Sequence, residues 1–247
     1  MVISNLYQIK QSKSTAFNVK IMNIKPLLLL FGVISLTEIY AEMTNNSLLI
    51  YVTKPLLMIS LSIHYYTNIQ TKTRFSNFIL FGLIFSIGGD TFLMFEGSQF
   101  FMAGLSCFLV THIFYILAFQ NYKKTILGNV NHHKWLAIPF ILYLLGMLSF
   151  LWNDLKDLKI PVIIYSIVIC LMAIAALNLK NKLPSAVFYT LFLGVMLFLF
   201  SDSIIALNKF GREELHIPYP RVMIMCTYIV AQLLIALSTL KANRLDN

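Results

Sequence analysis

The sequence predicts an all-α fold: a polytopic membrane bundle of about eight transmembrane helices. Three observations predict it. The 247 residues are 58% hydrophobic and only 12% charged, with a mean hydropathy of +0.77, whereas soluble domains carry roughly twice that charge. Apolar stretches of about 17 to 25 residues recur along the chain, each long enough to cross a hydrocarbon core about 30 Å thick as a helix. The polar segments between them are short, so the chain reads as one domain without a soluble module. A β-barrel would need segments of about ten alternating residues, a pattern the chain lacks.

Taken in order, span 1 covers about 25–41 and carries Glu38 near its far end. Span 2, about 48–66, has Lys54 and Pro55 in its first turns. The proline frees a backbone carbonyl there and favours a bend. Span 3, about 75–95, contains S-I-G-G-D and places Asp90 among apolar residues. Span 4, about 98–120, holds L-V-T-H-I-F-Y, with His112 one helical turn before Tyr115. Spans 5 and 6, about 135–152 and 160–178, are almost wholly apolar. Span 7, about 184–208, contains F-L-F-S-D-S-I-I-A with Ser201 and Asp202; span 8, about 221–241, contains Tyr228 and Gln232 at i, i+4 on one face. Residues 25–241 are thus the membrane domain and 242–247 a short cytoplasmic tail. Residues 1–24 form a basic cytoplasmic tail without the h-region or cleavage site of a secretory signal. That tail is either disordered or, with a start at Met22, mostly not translated.

The net charge is +9, but loops this short offer no nucleic-acid surface, and the basic residues report topology instead. Thirteen Lys and Arg fall in the amino-terminal segment, the loops after spans 2, 4 and 6 and the carboxyl-terminal tail, against five in the opposite loops. The positive-inside rule then places both termini in the cytoplasm. The expected location is a bacterial inner (plasma) membrane. Cys107, Cys170 and Cys226 each sit inside an apolar run without paired or metal-type spacing and read as small core residues.

This topology puts Asp90, Asp202, Lys54 and Glu38 within a few Å of one depth, as one polar layer in the outer half of the bilayer, with His112 deeper and the inner halves much less polar. Gly82, Ser86 and Asp90 recur every four residues, a small-residue stripe that admits another helix closely. Spans 3–4 and 7–8 share a pattern: a small residue and Asp in one, Tyr with His or Gln in the next. A parallel 4+4 repeat accounts for it.

Each polar group admits two readings. An ionised carboxylate near mid-bilayer costs about 2.5–3.5 kcal/mol on insertion scales, so Asp90 and Asp202 are expected to face the bundle interior. They are either a functional pair sharing one proton, which supplies an acid and a base together, or structural charges neutralised by Lys54. Lys54 either neutralises an Asp or binds an anionic head group, or else snorkels to the interface. Glu38 reads as an exposed residue near the interface. His112 with Tyr115 either polarises a substrate or ties helices together. Tyr228 and Gln232 read as bundle contacts or pocket lining. With one histidine in the layer and no HExxH, no metal or other cofactor is expected. Ser201 lacks a G-x-S-x-G setting and counts, with Glu38 and Tyr115, as a candidate substrate-binding residue. The G-G-D of span 3 is close to the G-x-G-D of intramembrane aspartyl proteases, but Ile87 stands where that motif needs glycine.

Five pieces, in order and at the right spans, give the chain a family resemblance. They are T-K-P-L-L-M, G-G-D-T-F-L-M-F, F-L-V-T-H-I-F-Y, F-S-D-S-I-I-A and Y-I-V-A-Q-L-L-I. The chain resembles the YhhN family, which includes the animal lysoplasmalogenases. The resemblance implies hydrolysis of the vinyl ether of a lysoplasmalogen to a fatty aldehyde and glycerophospho-ethanolamine or -choline. It implies Asp90 and Asp202 as essential residues and Lys54, His112, Tyr228 and Gln232 as pocket residues. A lysophospholipid in the bilayer is then the expected partner. Two other readings stay open: hydrolysis of another lysophospholipid, and a non-enzymatic transporter using the same buried charges.

Overall fold

Capping side chains fix the starts of two of the helices. The computed structural model describes residues 26–122, 134–211 and 217–245; the expected tail 1–24 and the alternative start at Met22 lie outside them. In order, the helices are α1 (Pro26–Thr44), α2 (Ser47–Asn68), α3 (Arg74–Leu93), α4 (Ser98–Asn121), α5 (Ile138–Leu151), α6 (Lys159–Leu177), α7 (Ser185–Phe210) and α8 (Pro220–Leu245). The Asn46 side chain accepts a bond from the Leu49 amide at 3.2 Å and starts α2. Thr73 and Ser76 form a reciprocal capping box at the start of α3. Between α3 and α4 the chain turns at Gly97, whose φ of 115° suits glycine alone.

Seven of these helices are long and apolar enough to cross a membrane, and the chain is an all-α integral membrane protein. The fifth expected span is the exception. α5 has 14 residues, about 21 Å of rise. With the 3-10 turn Lys134–Ala137 before it, α5 reaches about 29 Å, close to a core about 30 Å thick. Pro139 in its first turn and the turn that follows Leu151 set its limits. α8 differs the other way. It runs through the expected tail to Leu245, with Ala242 and Asn243 buried. Asn243 accepts from the Gln70 and Thr71 amides and donates to the Thr71 carbonyl, which ties α8 to the α2–α3 loop. Buried His64, Asn68 and Ser76 lie on the adjoining ends of α2 and α3, so this end of the bundle is more polar than expected.

Helix neighbours repeat after every fourth helix. The most extensive contacts lie within α3–α4 and within α7–α8. α2 packs on α3 as α6 packs on α7, and α8 packs on α2 as α4 packs on α6. These contacts close a ring of six helices, which α8 also crosses to touch α3. α5 lies outside the ring against α6, and α1 lies against α2 through side-chain bonds. Glycine permits the two tight pairs. A Cβ on Gly82 would lie 2.3 Å from the Tyr115 ring, and one on Gly194 would lie 3.0 Å from the Ala231 carbonyl oxygen. In sequence, Asp90 and Asp202 each follow one of these glycines by eight residues, two turns along the same helix face.

The outside of the bundle is apolar. Leu29, Leu36 and Leu48 are more than two-thirds exposed, while Glu38, Asp90, His112 and Gln232 are buried. Such an inversion of the soluble pattern is what a hydrocarbon solvent requires.

Candidate active site

Asp202 stands at the polar wall of a cavity between α4, α5, α6 and α7. Its volume is about 60 Å³, and its walls are mainly Leu, Ile, Phe and Met side chains. The polar groups that line it are Tyr143, Tyr165, Ser166, Asp202 and Ser203. Two groups bind one oxygen of Asp202: the Tyr165 hydroxyl donates to Oδ2, and His112 Nε2 lies 3.2 Å from the same atom. His112 Nε2 also lies 2.9 Å from the Tyr165 oxygen. No described residue binds His112 Nδ1, which is buried. We assign the tautomer with its hydrogen on Nε2, because the other would bury an N–H without an acceptor.

That arrangement leaves the second carboxylate oxygen open. Asp202 Oδ1 has no hydrogen bond from the described residues, yet it is not among the fully buried unpartnered atoms. The Asp202 side chain keeps 8% exposure. A proton on this carboxyl group therefore belongs on Oδ1, since Oδ2 already accepts hydrogen bonds.

Asp90 sits behind this wall in a second polar network. The Tyr228 hydroxyl donates to Asp90 Oδ2 at 2.8 Å. Gln232 Nε2 donates to Ser86 Oγ at 2.9 Å, and Gln232 Oε1 accepts from the Tyr115 hydroxyl at 2.7 Å. The face expected for Tyr228 and Gln232 on α8 is thus the face that meets α3 and α4. Ser86 and Thr111 share a contact of 3.3 Å, and the Thr111 hydroxyl donates to the Gly82 carbonyl. The Gly82, Ser86, Asp90 stripe is buried throughout. Between the two networks lie Phe108 and Phe198. Both rings meet Tyr228 edge-on, and Phe198 also meets His112. Asp90 does not line the cavity, though it remains in electrostatic range of Asp202, Lys54 and Glu38.

Three expectations change. His112 and Tyr115, one turn apart, serve different networks, because three residues of helix leave two side chains about 60° apart and the two then face different neighbours. Lys54 bonds neither aspartate. Its Nζ donates to Glu42 Oε1 at 2.7 Å and lies 3.8 Å from Glu38 Oε1. Glu38 is fully buried rather than exposed, and Thr53 on α2 also donates to it. A carboxylate near a helix end can be buried when the next helix brings a cation and a hydroxyl to it. Ser201 donates to the Ile224 carbonyl at 3.1 Å and ties α7 to α8. Among the described residues no group of three or more His, Cys, Asp or Glu is placed to hold a metal.

Residues 49–239 match the YhhN family. The chain belongs to the YhhN family. This YhhN-family protein is 34% identical to human lysoplasmalogenase TMEM86A over 164 residues, covering 66% of this chain and 65% of the relative. It is 34% identical to lysoplasmalogenase TMEM86A of Bos taurus over 170 residues, with the same two coverages, and 28% identical to human lysoplasmalogenase TMEM86B over 161 residues, covering 65% and 62%. The chain thus spans just under two-thirds of the length of these curated relatives. No solved structure gives a significant match. Within the YhhN match lie both aspartates and their Tyr and His partners, whereas Glu38 and Glu42 on α1 precede it.

Reading the sequence alone missed Tyr143, Tyr165 and Ser203. All three line the cavity, and two come from the helices without a recognisable signature. The available signal was weak: a hydroxyl-bearing side chain in an apolar run, which also suits ordinary packing.

Proposed function

We propose that this protein is a membrane-embedded hydrolase that cleaves the vinyl ether of a lysoplasmalogen. The observation that carries the reading is a carboxyl group, Asp202, with one oxygen fixed by Tyr165 and His112 and the other open to an apolar cavity. The names of its relatives point to the same substrate.

The reaction needs few parts. The first step needs a proton on the Asp202 carboxyl group. Asp202 delivers that proton to the alkenyl carbon distal to the ether oxygen. The double bond's electron pair forms the new C–H bond, and an oxocarbenium ion results. The carboxylate left behind stabilises this cation. Water then adds at the carbon bonded to oxygen and gives its proton back to Asp202. The hemiacetal loses its hydroxyl proton, its C–O bond to the glycerol breaks, and the departing oxygen takes a proton. Aldehyde and alcohol leave, and Asp202 is as it began. Asp90, walled off by Phe108 and Phe198, acts through the α3–α8 contact.

The lipid would enter from the bilayer with its tail among the apolar walls. The excess of Lys and Arg on one set of loops supports an orientation with both termini in the cytoplasm. Purified protein given lysoplasmalogen is expected to release fatty aldehyde, and Asp202→Asn to stop it. Release of fatty acid from ester lysophospholipids, with no aldehyde from the vinyl ether, would refute the reading.

A further inference from the structure

The hydrogen-bond bookkeeping of the cavity identifies a second station beside Asp202. Ser203 Oγ donates to the Leu199 carbonyl at 2.6 Å. Its one hydrogen is thereby committed, so in its contact with Tyr143 the phenol is the donor and Ser203 the acceptor. The Tyr143 hydrogen is therefore turned toward α7, and its oxygen keeps an acceptor site. Tyr143 lines the same cavity as Asp202 and lies in electrostatic range of it. The Tyr165 hydrogen is committed as well, to Asp202 Oδ2. Once Asp202 has given up its proton, what these groups offer a ligand is a pair of acceptors, Asp202 Oδ1 and the Tyr143 oxygen, with the Ser166 hydroxyl as the remaining polar lining.

A pair of acceptors selects a molecule with two donor hydrogens. Water has two; a lipid hydroxyl has one. The cavity, at about 60 Å³, has room for water, which needs about 10–15 Å³ of such space. We propose that Tyr143, oriented by Ser203, and Asp202 Oδ1 together hold the hydrolytic water.

This inference rests on the hydrolase reading and adds the origin of the nucleophile. Once the substrate carbon has taken the proton from Oδ1, one water hydrogen points at Oδ1 and the other at the Tyr143 oxygen. A lone pair of the water then faces the oxocarbenium carbon. The C–O bond forms, the water proton on Oδ1 passes to Asp202, and the second hydrogen remains as the hemiacetal hydroxyl. Tyr143 itself neither gains nor loses a proton.

Methanol separates this role from a structural one, because methanol has one donor hydrogen and needs only Asp202. In buffer with a fixed fraction of methanol, the oxocarbenium ion partitions between water, giving aldehyde, and methanol, giving a methyl acetal of the lipid. Tyr143→Phe is expected to raise the ratio of acetal to aldehyde about tenfold, the effect of one lost hydrogen bond on water capture alone. Ser203→Ala releases the phenol hydrogen, which can then point into the cavity, and should raise the ratio as well. An unchanged ratio in either folded, active variant overturns the water station and leaves the hydrolase reading standing. Absence of both products from the wild-type protein refutes the hydrolase reading itself. Should neither variant fold, an experimental density map that resolves buried water decides. Water bridging Asp202 Oδ1 and the Tyr143 oxygen supports the assignment, and its absence beside other ordered waters overturns it.

Discussion

His112 on α4 and Asp202 on α7 meet across the two halves of the bundle, with Nε2 3.2 Å from Oδ2. The other aspartate is held the same way in reverse: Tyr228 on α8 reaches back to Asp90 on α3. Each half thus supplies an aspartate from its third helix and receives a hydrogen bond from the fourth helix of the other half. The two sites have diverged in what surrounds them. Around Asp202 the neighbours from α5 and α6 are Tyr143 and Tyr165, and a cavity opens. On the Asp90 side, α1 and α2 bring the ion cluster of Glu38, Glu42 and Lys54.

This asymmetry ranks the two aspartates. Only Asp202 lines the cavity, so Asp202→Asn should lower the rate of aldehyde release by about a hundredfold or more, the usual worth of a positioned acid–base group. Asp90→Asn keeps the Asp202 carboxyl and its partners in place and should cost less. Turnover assays of both variants at matched protein concentration check the order. Equal and complete loss in both, with intact folding, would place the chemistry at Asp90 as well.

Tyr165 supplies one of the two bonds that fix Asp202 Oδ2. Tyr165→Phe keeps the ring and its edge contact with His112 but removes the hydroxyl. A hydrogen bond to a charged group is worth about 1.5–3 kcal/mol, so kcat should fall between tenfold and a hundredfold. KM should change little, since the apolar walls that would hold the tail are untouched. A rise in KM at constant kcat would instead make Tyr165 a binding residue.

Helix number and approximate limits were legible because a membrane crossing writes its length directly into an apolar run. Asp90, Asp202 and Gln232 were legible for a related reason: a strongly polar atom inside such a run has to be buried among partners. Which partner it finds is another matter. It depends on how each helix is rotated, and a shift of one residue turns a side chain by about 100°. So the Tyr115 hydroxyl goes to Gln232 and not to the His112 setting, and Lys54 answers Glu38 and Glu42 on α1 rather than Asp90. Glu42 was overlooked because it stands in the last turn of α1, where exposure is the ordinary state. Tyr143 and Tyr165 carry no sequence mark at all, since tyrosine is at home anywhere in a span. The repeated eight-residue step from Gly82 to Asp90 and from Gly194 to Asp202 was available and links the two halves.

The ion cluster on α1 and α2 makes a separate prediction about stability. Lys54 is 14% exposed and its carboxylate partners nearly fully buried. Removing the cation alone leaves two buried carboxylates without it, at a cost of about 3–5 kcal/mol. Lys54→Met should therefore lower the melting temperature in detergent markedly. Adding Glu38→Gln and Glu42→Gln should restore most of the loss, because the charges that needed Lys54 are gone. A melting temperature that stays low in the triple variant would mean that Lys54 stabilises the fold through something other than these glutamates.

Gly82 tests the packing that brings the site together. A Cβ there would meet Tyr115 ring atoms at 2.3 and 2.7 Å, well inside van der Waals contact. The ring cannot simply swing aside, because its hydroxyl is bonded to Gln232 on α8. Moving it would also disturb the Gln232 bond to Ser86. Gly82→Ala should accordingly cost about 1–3 kcal/mol, as overpacking in a close-packed interior does. Gly146 on α5 is the control, since a Cβ there meets nothing within 4 Å. Gly146→Ala should be neutral or slightly stabilising through its better helix propensity. Thermal unfolding of both variants in one detergent makes the comparison. Equal melting temperatures would show that α3 and α4 can separate freely, and the tight pairing that sets Asp90 against Tyr228 would then lose its basis.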